Sequence, residues 1–481
     1  MTPYPADFNG DITRLETEVE VLRSKEDNLL AEVKLLRASI QHRLAHIARL
    51  NSLYSTIGVL PSELFVTIFN SGPSDAIEHR QYVKLISLVS RYWRNISLAT
   101  PSLWSSVYIS SLGGTRPNPL QNLEMLIERS CAHPLSITIY GEGLDTSSGA
   151  FLFDQINLII PLVSRWRTLC IYGGYWEEIP DICGRLAELH APLLESFEVI
   201  VDSGYDDDYY DDDDDNDLRV FTGGAPRLSY VRVEGISLMS CLPPLSSLVS
   251  LDLCYLPKPL TLAQWNTIRM SNQLQDLRIG GDVTYIPFPK TFPAADIPSL
   301  RSLTFSPGPS TKLFNQIVGI RCHALQHLTI EPPSMYDGLS EISAAVQVTD
   351  ISSTSIYPSL QSLTLRRVKF TWVEAHWVIA KLPSITRIVI DSCTNPTVLL
   401  NYLLPMRRTD DSVDEIHPDY WPLLQTISLS GMESTVLEVL YKIVLYRKSR
   451  GTPLVCIQLR SMDIPADMLD WLRERLRVEL S

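Results

Sequence analysis

Apolar residues recur at alternating spacings of three and four along the N-terminal region. The recurring positions are Leu15, Val19, Leu22, Glu26, Leu29, Val33, Leu36, Ile40, Arg43, Ile47, Leu50 and Tyr54. A heptad pattern of this length with charged neighbours is typical of a coiled coil. We therefore predict a coiled-coil helix over residues 12–54, preceded by a disordered tail at residues 1–11. The stripe could bind a second copy or pack against the chain's own next helices, and its 3.5-residue period favours self-association.

The stretch at residues 58–104 is short, apolar at helical spacing and free of polar clusters that resemble an active site. A first helix is predicted to begin at Pro61, since proline is favoured at the first helical position. Glu63 in its first turn interacts favourably with the helix N-terminus, and Gly72 marks its end. A second apolar segment leads to Trp93. Three short helices bury only a thin core, so we expect part of this apolar surface to need a partner.

A phrase of the form Leu-x-x-Leu-x-Leu recurs through the rest of the chain. The opening apolar residues of its copies are Leu194, Leu228, Leu248, Leu274, Leu300, Leu325, Leu360, Ile385, Leu424 and Leu454. This core, with several spacings of 25 or 26 residues, is typical of leucine-rich repeats, in which a short strand is followed by a returning helix or loop. One repeat cannot bury its own apolar edge, so the copies must stack on a shared core. We predict an α/β fold in which residues 120–481 form a leucine-rich-repeat solenoid with irregular repeats.

The repeats depart from the usual leucine-rich pattern. Where an asparagine would normally satisfy backbone groups, this chain has Val368, Met432 and Pro333, and only Cys393 fits. Alternating apolar strands could also form a sandwich or a propeller, but the helical periodicity of the segments between copies favours a solenoid. An aspartate-rich insertion at residues 203–217 interrupts the array. We expect an exposed, disordered loop there, either a docking site for a basic partner or a tolerated insertion.

Composition narrows the classes of partner. Nine aspartates between residues 206 and 217 supply most of the net charge of −14, so the rest of the chain is only mildly acidic. Phosphate binding needs clustered Lys and Arg, which are not found, and we expect no nucleic-acid partner. Residues 109–119 are a linker by their Gly, Pro and Asn content.

Targeting and redox signals point to the inside of the cell. No run of eighteen apolar residues exists and the N-terminus lacks a signal-peptide pattern, so we expect no membrane partner. The eight cysteines are scattered without a CxxC pair, which favours reduced thiols over disulfides or a metal site. The expected location is intracellular, cytoplasmic or nuclear.

Candidate chemistry is sparse. The sequence has no GxGxxG, Walker, HExxH or GxSxG motif. Glu177-Glu178 is a carboxylate pair on an expected loop, where adjacent side chains project in different directions. Cys322, His323 and His327 lie in or beside one repeat strand, where packing or surface roles are the ordinary ones. We expect no catalytic residue, no metal, no cofactor and no enzyme activity.

One stretch resembles a known module. Leu60-Pro61-x-Glu63-Leu64-x3-Ile68-Phe69, then Val89-Ser90-Arg91-x-Trp93-Arg94-x-Ile96 and Pro101-x-Leu103-Trp104, closely resemble an F-box. The TPSLW ending is similar to the fungal type of F-box domain protein. The resemblance covers residues 55–108 and implies docking onto a Skp-type adaptor and, through it, a cullin. It implies an adaptor-binding surface, or supporting core, of Leu60, Pro61, Glu63, Leu64, Ile68, Val89, Trp93, Leu103 and Trp104. The alternative is a generic helical hairpin with a buried tryptophan.

The function implied by this resemblance is a substrate-recognition adaptor of an SCF-type cullin–RING ubiquitin ligase. The target protein would lie on the face of the repeats formed by alternate strand residues. Candidate target-binding residues at those positions are Arg278, Thr304, Thr329, Thr364, Arg366, Arg387, Ser428 and Arg460. The alternative is a ligase-independent, dimeric protein-interaction scaffold, which the heptad favours because a ligase adaptor does not require one.

Overall fold

The computed structural model divides into two compact units. The first comprises residues 1–73 and 82–100, and the second comprises residues 74–81 and 101–481. The described residues are 8–54, 60–73, 75–111, 119–141, 146–173, 179–201, 218–256, 260, 262–281, 295–307, 320–331, 342–343, 357–369, 372–405, 420–431, 435–462 and 464–480. The predicted acidic insertion at residues 203–217 lies outside them.

The first unit is helical. Its helices are α1 (Phe8–Tyr54), α2 (Ser62–Asn70), the part of α3 (Ala76–Val89) that follows residue 81, and α4 (Arg91–Leu98). The predicted long N-terminal helix is therefore confirmed, and it begins at Phe8, inside the predicted tail. Pro61 is the residue before α2 rather than its first residue. The Ser90 side chain accepts a hydrogen bond from the Trp93 amide at 3.1 Å and so starts a separate helix α4.

The second unit is built on a parallel β-sheet. Fourteen strands of the described chain pair in chain order, each parallel to the next. They are β1 (Ser106–Ser110), β2 (Leu135–Gly141), β3 (Trp166–Gly173), β4 (Ser196–Val201), β5 (Tyr230–Glu234), β6 (Ser250–Cys254), β7 (Asp276–Gly281), β9 (Ser302–Pro307), β11 (His327–Ile330), β13 (Ser362–Arg366), β15 (Arg387–Asp391), β16 (Thr426–Ser430), β17 (Cys456–Arg460) and β18 (Arg477–Leu480). Two short pairs stand outside this sheet, β8 (Ala295–Asp296) with β10 (Ile320–Arg321) and β12 (Ile342–Ser343) with β14 (Val368–Lys369).

Helices lie between many of these strands in the chain. They are α5 (Pro119–Ser130), α6 (Thr146–Ile159), α7 (Ile179–Leu186), α8 (Leu262–Arg269), α9 (Trp372–Lys381), α10 (Pro396–Asn401), α11 (Thr435–Ser449) and α12 (Ala466–Arg473), with 3-10 turns at Pro101–Trp104, Ile160–Arg165 and Leu238–Cys241. Apolar residues from strands and helices form one continuous core, as parallel strands joined by crossovers require. The predicted α/β class is confirmed, and the sheet of the second unit is parallel. None of the described helices is both long and apolar enough to cross a membrane.

The recurring leucine sets the entry to each strand. All ten opening residues of the repeated phrase are buried. In eight copies the amide of that residue donates to the carbonyl three residues earlier, which closes a tight turn; these are Leu194, Leu228, Leu248, Leu274, Leu300, Leu325, Leu360 and Leu424. The following amides then donate to the preceding strand, as Glu195 does to the Arg167 carbonyl at 2.8 Å. In eight of the ten copies, a repeated turn thus leads into the strand that follows.

Cys393 occupies the position where the sequence suggested a substitute for asparagine. Its Sγ lies 3.4 Å from the Val368 amide and 3.3 Å from the Leu365 carbonyl, so one side chain satisfies both a donor and an acceptor. Burial raises the pKa of the Cys393 thiol to about 12. The neutral thiol is the form that can donate, so the environment keeps it in its hydrogen-bonding state.

The sheet begins earlier in the chain than the repeats predicted. β1 spans the end of the predicted F-box segment and the start of the predicted linker at residues 109–119, of which residues 112–118 lie outside the described part. Val107 and Ile109 of this strand are fully buried and belong to the same core as the later strands. Trp104, not a leucine, stands at the opening position before its SVYIS sequence, so the leucine phrase did not predict this strand.

Candidate partner-binding surfaces

Three aromatic rings and a few aliphatic side chains form the core of the first unit's short helices. Phe65 and Phe69 of α2 are buried, and their ring centroids lie 5.5 and 5.1 Å from that of Trp93 on α4. The buried aliphatic side chains of this core are Val83 and Ile86 of α3 and Ile96 of α4. Because Trp93 contacts both phenylalanines, it holds α4 against α2.

Other apolar side chains of the same helices point to solvent. Leu64 and Ile68, four residues apart on α2, are 48% and 49% exposed. Leu85, Leu88 and Val89 share one face of α3 and are 61–65% exposed. We call these five residues the exposed apolar set. Apolar side chains of this size left open on two helix faces make these residues a candidate interaction surface.

The remaining residues of the predicted adaptor site have other positions. Leu60 is half-buried, and Pro61 and Glu63 are exposed at the start of α2. Leu103 and Trp104 belong to the second unit and are buried there, with the Arg129 guanidinium 4.4 Å from the Trp104 ring centroid. The structure therefore presents Leu64, Ile68 and Val89 at the surface, and uses Trp93, Leu103 and Trp104 for packing.

A second candidate surface is the polar face of the sheet. Strand pairing aligns alternate residues into rows, and the rows with buried side chains belong to the core. The middle row of the opposite face reads Tyr108, Thr138, Cys170, Glu198, Arg232, Asp252, Arg278, Thr304, Thr329, Thr364, Val389, Ser428, Gln458 and Glu479. Rows at the amino and carboxyl ends of the strands flank it.

The predicted target-binding residues all lie on this face. Five of them are in the middle row: Arg278, Thr304, Thr329, Thr364 and Ser428. Of these five, Ser428 is buried and is not available to a partner. Arg387 lies in the row at the amino ends, and Arg366 and Arg460 lie in the row at the carboxyl ends, aligned through Asp391 and Ser430. The structure thus brings together residues that span about 180 positions of sequence.

One carboxylate ties several of these arginines together. Glu331, directly after β11, accepts from Arg278 at 3.1 Å and from Arg366. Arg366 also lies 3.9 Å from Asp391. Since Glu331 is only 14% exposed, these pairs are shielded from solvent more than ordinary surface ion pairs. The arginines are therefore held in fixed positions on the face.

Each end of the face has its own character. Toward the last strands, Arg387 donates to Gln458 at 2.8 Å, and Gln458 donates to Glu479 at 2.7 Å. Toward the first strands, Tyr108, Tyr140 and Tyr172 form a row of rings with centroids 6.5 and 6.3 Å apart. Burial raises the pKa of Tyr172 above its ordinary value.

Sequence reasoning missed Glu331 and the tyrosine row. Glu331 follows a strand without belonging to the repeated phrase, so its link to Arg278, two strands away, needs the register of the sheet. Tyr140 ends the strand-like segment LSITIY, and Tyr172 occupies the equivalent place in the next strand. That equivalence is the signal that would have found the row.

The weaker candidates for chemistry are not assembled into a site. Cys322 is buried in the turn before β11, while His323 and His327 are exposed. Glu177-Glu178 lies outside the described residues. Within the described ranges, no three or more His, Cys, Asp or Glu side chains are grouped so as to hold a metal ion.

Comparisons with known proteins do not assign a family. No family model matches the chain, and no curated protein matches it. Among solved structures that match is a crystal structure of a protein from Bacteroides fragilis, at 12% identity and a TM-score of 0.29. The match covers 74% of this chain and 76% of that chain. A likeness at this level carries no argument about fold or function.

Proposed function

We propose that this protein is a substrate-recognition adaptor of an SCF-type ubiquitin ligase, in which residues 55–108 act as an F-box. The observation that carries the proposal is the exposed apolar set, Leu64, Ile68, Leu85, Leu88 and Val89. Leu64, Ile68 and Val89 are also residues that the F-box resemblance assigns to adaptor binding. Full burial of an exposed side chain of this kind contributes about 1.5–3 kcal/mol. Because these side chains are about half exposed, docking would supply roughly half of that for each.

The second unit is proposed to be a leucine-rich-repeat solenoid that binds the target. A parallel sheet in chain order, a repeated turn before eight of its strands and a continuous core all support stacked repeats. Its polar face offers fixed arginines, threonines and tyrosines to a protein partner. Aromatic residues and arginine are the residue types enriched where binding energy concentrates.

The state of the cysteines bears on the compartment in which the protein is proposed to act. All eight cysteines are free thiols in the structure. This agrees with action in a reducing compartment, the cytoplasm or the nucleus.

Adaptor binding tests the proposal. The double variant Leu64→Ala/Ile68→Ala removes exposed side chains only, so the module should stay folded while co-purification with a Skp-type adaptor falls by about tenfold or more. Binding would be measured by titration of the purified full-length chain. The variant Leu445→Ala is the matched control because it truncates an exposed leucine on α11. It should bind as the unaltered protein does.

The outcome of this titration is decisive because folding is monitored separately. The variant Trp93→Ala removes the ring that packs on Phe65 and Phe69, so it shows how adaptor affinity and helix content change when the module unfolds. Equal adaptor affinity for the double variant and the unaltered chain, with both helical by circular dichroism, would overturn the F-box assignment.

A ligase-independent scaffold is the second candidate, and the exposed stripe of α1 favours it. All its side chains from Gly10 to Ile47 are exposed. Deletion of residues 12–54 distinguishes the two functions. Loss of all partner binding on deletion, with no effect of Leu64→Ala/Ile68→Ala, would favour the scaffold.

A further inference from the structure

The helix α1 carries an apolar stripe that nothing in the described chain covers. Its a positions hold Ile12, Val19, Val33, Ile40 and Ile47, and its d positions hold Leu15, Leu22, Leu29, Leu36 and Leu50. These side chains are all exposed. β-branched residues at a with leucine at d favour a two-stranded assembly, a rule established for parallel dimers. The stripe is sustained over more than four heptads, long enough for a stable coiled coil.

Two polar residues interrupt the stripe, and their charges are opposite. Glu26 occupies an a position and Arg43 occupies a d position. In a parallel, in-register dimer each would face its own copy, Glu26 against Glu26 and Arg43 against Arg43. Like charges placed together in an interface cost several kcal/mol. A parallel dimer would therefore carry two repulsive layers.

An antiparallel arrangement removes both conflicts. We propose that α1 pairs with α1 of a second copy in an antiparallel coiled coil, in the register that places Glu26 opposite Arg43 of the second copy. The symmetry of the dimer makes this ion pair twice. Every neighbouring layer then also joins an a position to a d position, namely Val19 with Leu50, Leu22 with Ile47, Leu29 with Ile40 and Val33 with Leu36.

Charges beside the stripe compete with this arrangement only weakly. A parallel dimer would gain Glu18 with Arg23 and Glu32 with Arg37 at its rim, but exposed pairs of this kind contribute about 0.2–1 kcal/mol each. The antiparallel register places Arg23 beside Leu44 and Glu32 beside Ser39 of the second copy. The charges of Glu26 and Arg43 within the stripe therefore contribute more to the choice of orientation than the charged pairs beside the stripe.

Charge reversal tests the orientation. In the antiparallel dimer, Glu26→Arg or Arg43→Glu alone creates two repulsive layers, and the dissociation constant should rise about tenfold or more. The double variant Glu26→Arg/Arg43→Glu restores opposite charges and should return the constant to within about threefold of the original. A parallel dimer would be indifferent to either single change, because each position would still face a like charge.

The measurement is the dissociation constant of the full-length chain, from sedimentation equilibrium, with circular dichroism to verify helix content. Glu20→Arg and Lys34→Glu are matched controls that change net charge equally at b positions, away from the seam, and should leave the constant unchanged. A monomeric unaltered chain would overturn the proposal. So would a dimer whose constant is unaffected by the single reversals, which would be parallel.

Discussion

Buried thiols are the residues whose ionisation bears most directly on stability. Burial raises the pKa of Cys183 from 9.0 to about 12, and Cys393 is shifted in the same direction. Each of these thiols ionises at a lower pH in the unfolded chain than in the folded one. Its contribution to the free energy of unfolding is therefore fully present below pH 9. That stabilisation is lost as the pH rises from 9 toward 12, by about 1.4 kcal/mol per pH unit for each such thiol.

We expect the free energy of unfolding to fall between pH 8 and pH 10, and Cys183→Ala to reduce that fall by about 1.4 kcal/mol. Urea denaturation at the two pH values measures it. Cys131→Ala, which removes an exposed thiol, is the control and should show the pH dependence of the unaltered protein. An unchanged pH dependence in Cys183→Ala would contradict the assigned cause.

Glu331 is the carboxylate on which the polar face depends most. Glu331→Gln removes the charge that pairs with Arg278 and Arg366 in a shielded position, and we expect a loss of stability of about 1–3 kcal/mol. The matched change Glu195→Gln breaks the exposed pair with Arg167, 2.8 Å long, and should cost less than about 1 kcal/mol. Urea midpoints compare the two. Equal losses would show that Glu331 is not specially placed.

At the scale of the element, α11 is fixed to the sheet by one buried arginine. Arg447 donates its Nη2 to the carbonyls of Trp421, Pro422 and Leu424 at 3.1–3.3 Å, and its Nε to that of Thr452. It thereby holds the turn that leads into β16. The sequence gives no sign of this role, because the carbonyls belong to residues more than twenty positions earlier.

Arg447→Met keeps the length of the side chain but removes its donors, and we expect a loss of about 3 kcal/mol or more, since buried carbonyls are left unpaired. The loss of stability for Arg447→Lys should lie between that of Arg447→Met and none, because lysine is a donor but lacks the planar guanidinium fork. Thermal and urea unfolding measure the effect. Lys448→Met, next to it but exposed, should stay within about 0.5 kcal/mol of the unaltered protein. A similar loss in both would contradict the role of Arg447.

Periodicity predicted the elements better than it predicted their contacts. The leucine phrase identified the ten strands of the main sheet from β4 to β17, because its copies share one buried pattern and eight of them share one turn. It did not reveal β18. The same pattern placed Arg278 and Thr304 on a common face, since alternation fixes the side of the sheet. It could not pair Arg278 with Glu331, because that depends on the register of several strands. Nor could the pattern predict that Phe65 is buried while Leu64 is exposed. When adjacent residues of a helix are both apolar, the sequence does not show which of the two faces is covered.

At the scale of the whole molecule, the order of the strands limits the ways in which the second unit can be assembled. Neighbours in the sheet are neighbours among its strands in the chain, so each strand is placed by local connections. An antiparallel pair of α1 helices would also set a distance between the two copies. With a rise of 1.5 Å per residue, the C-terminal ends of the two helices would lie about 60 Å apart.

The last strand of the sheet has a further consequence. A stack of parallel strands offers an open edge to which another copy could add, which is the route to fibres and aggregates. β18 carries Arg477 and Glu479, joined at 2.7 Å, on the strand that ends the sheet. Any strand added there would have to accommodate these charges. The two charged side chains of β18 thus oppose the addition of a further strand at this edge of the sheet.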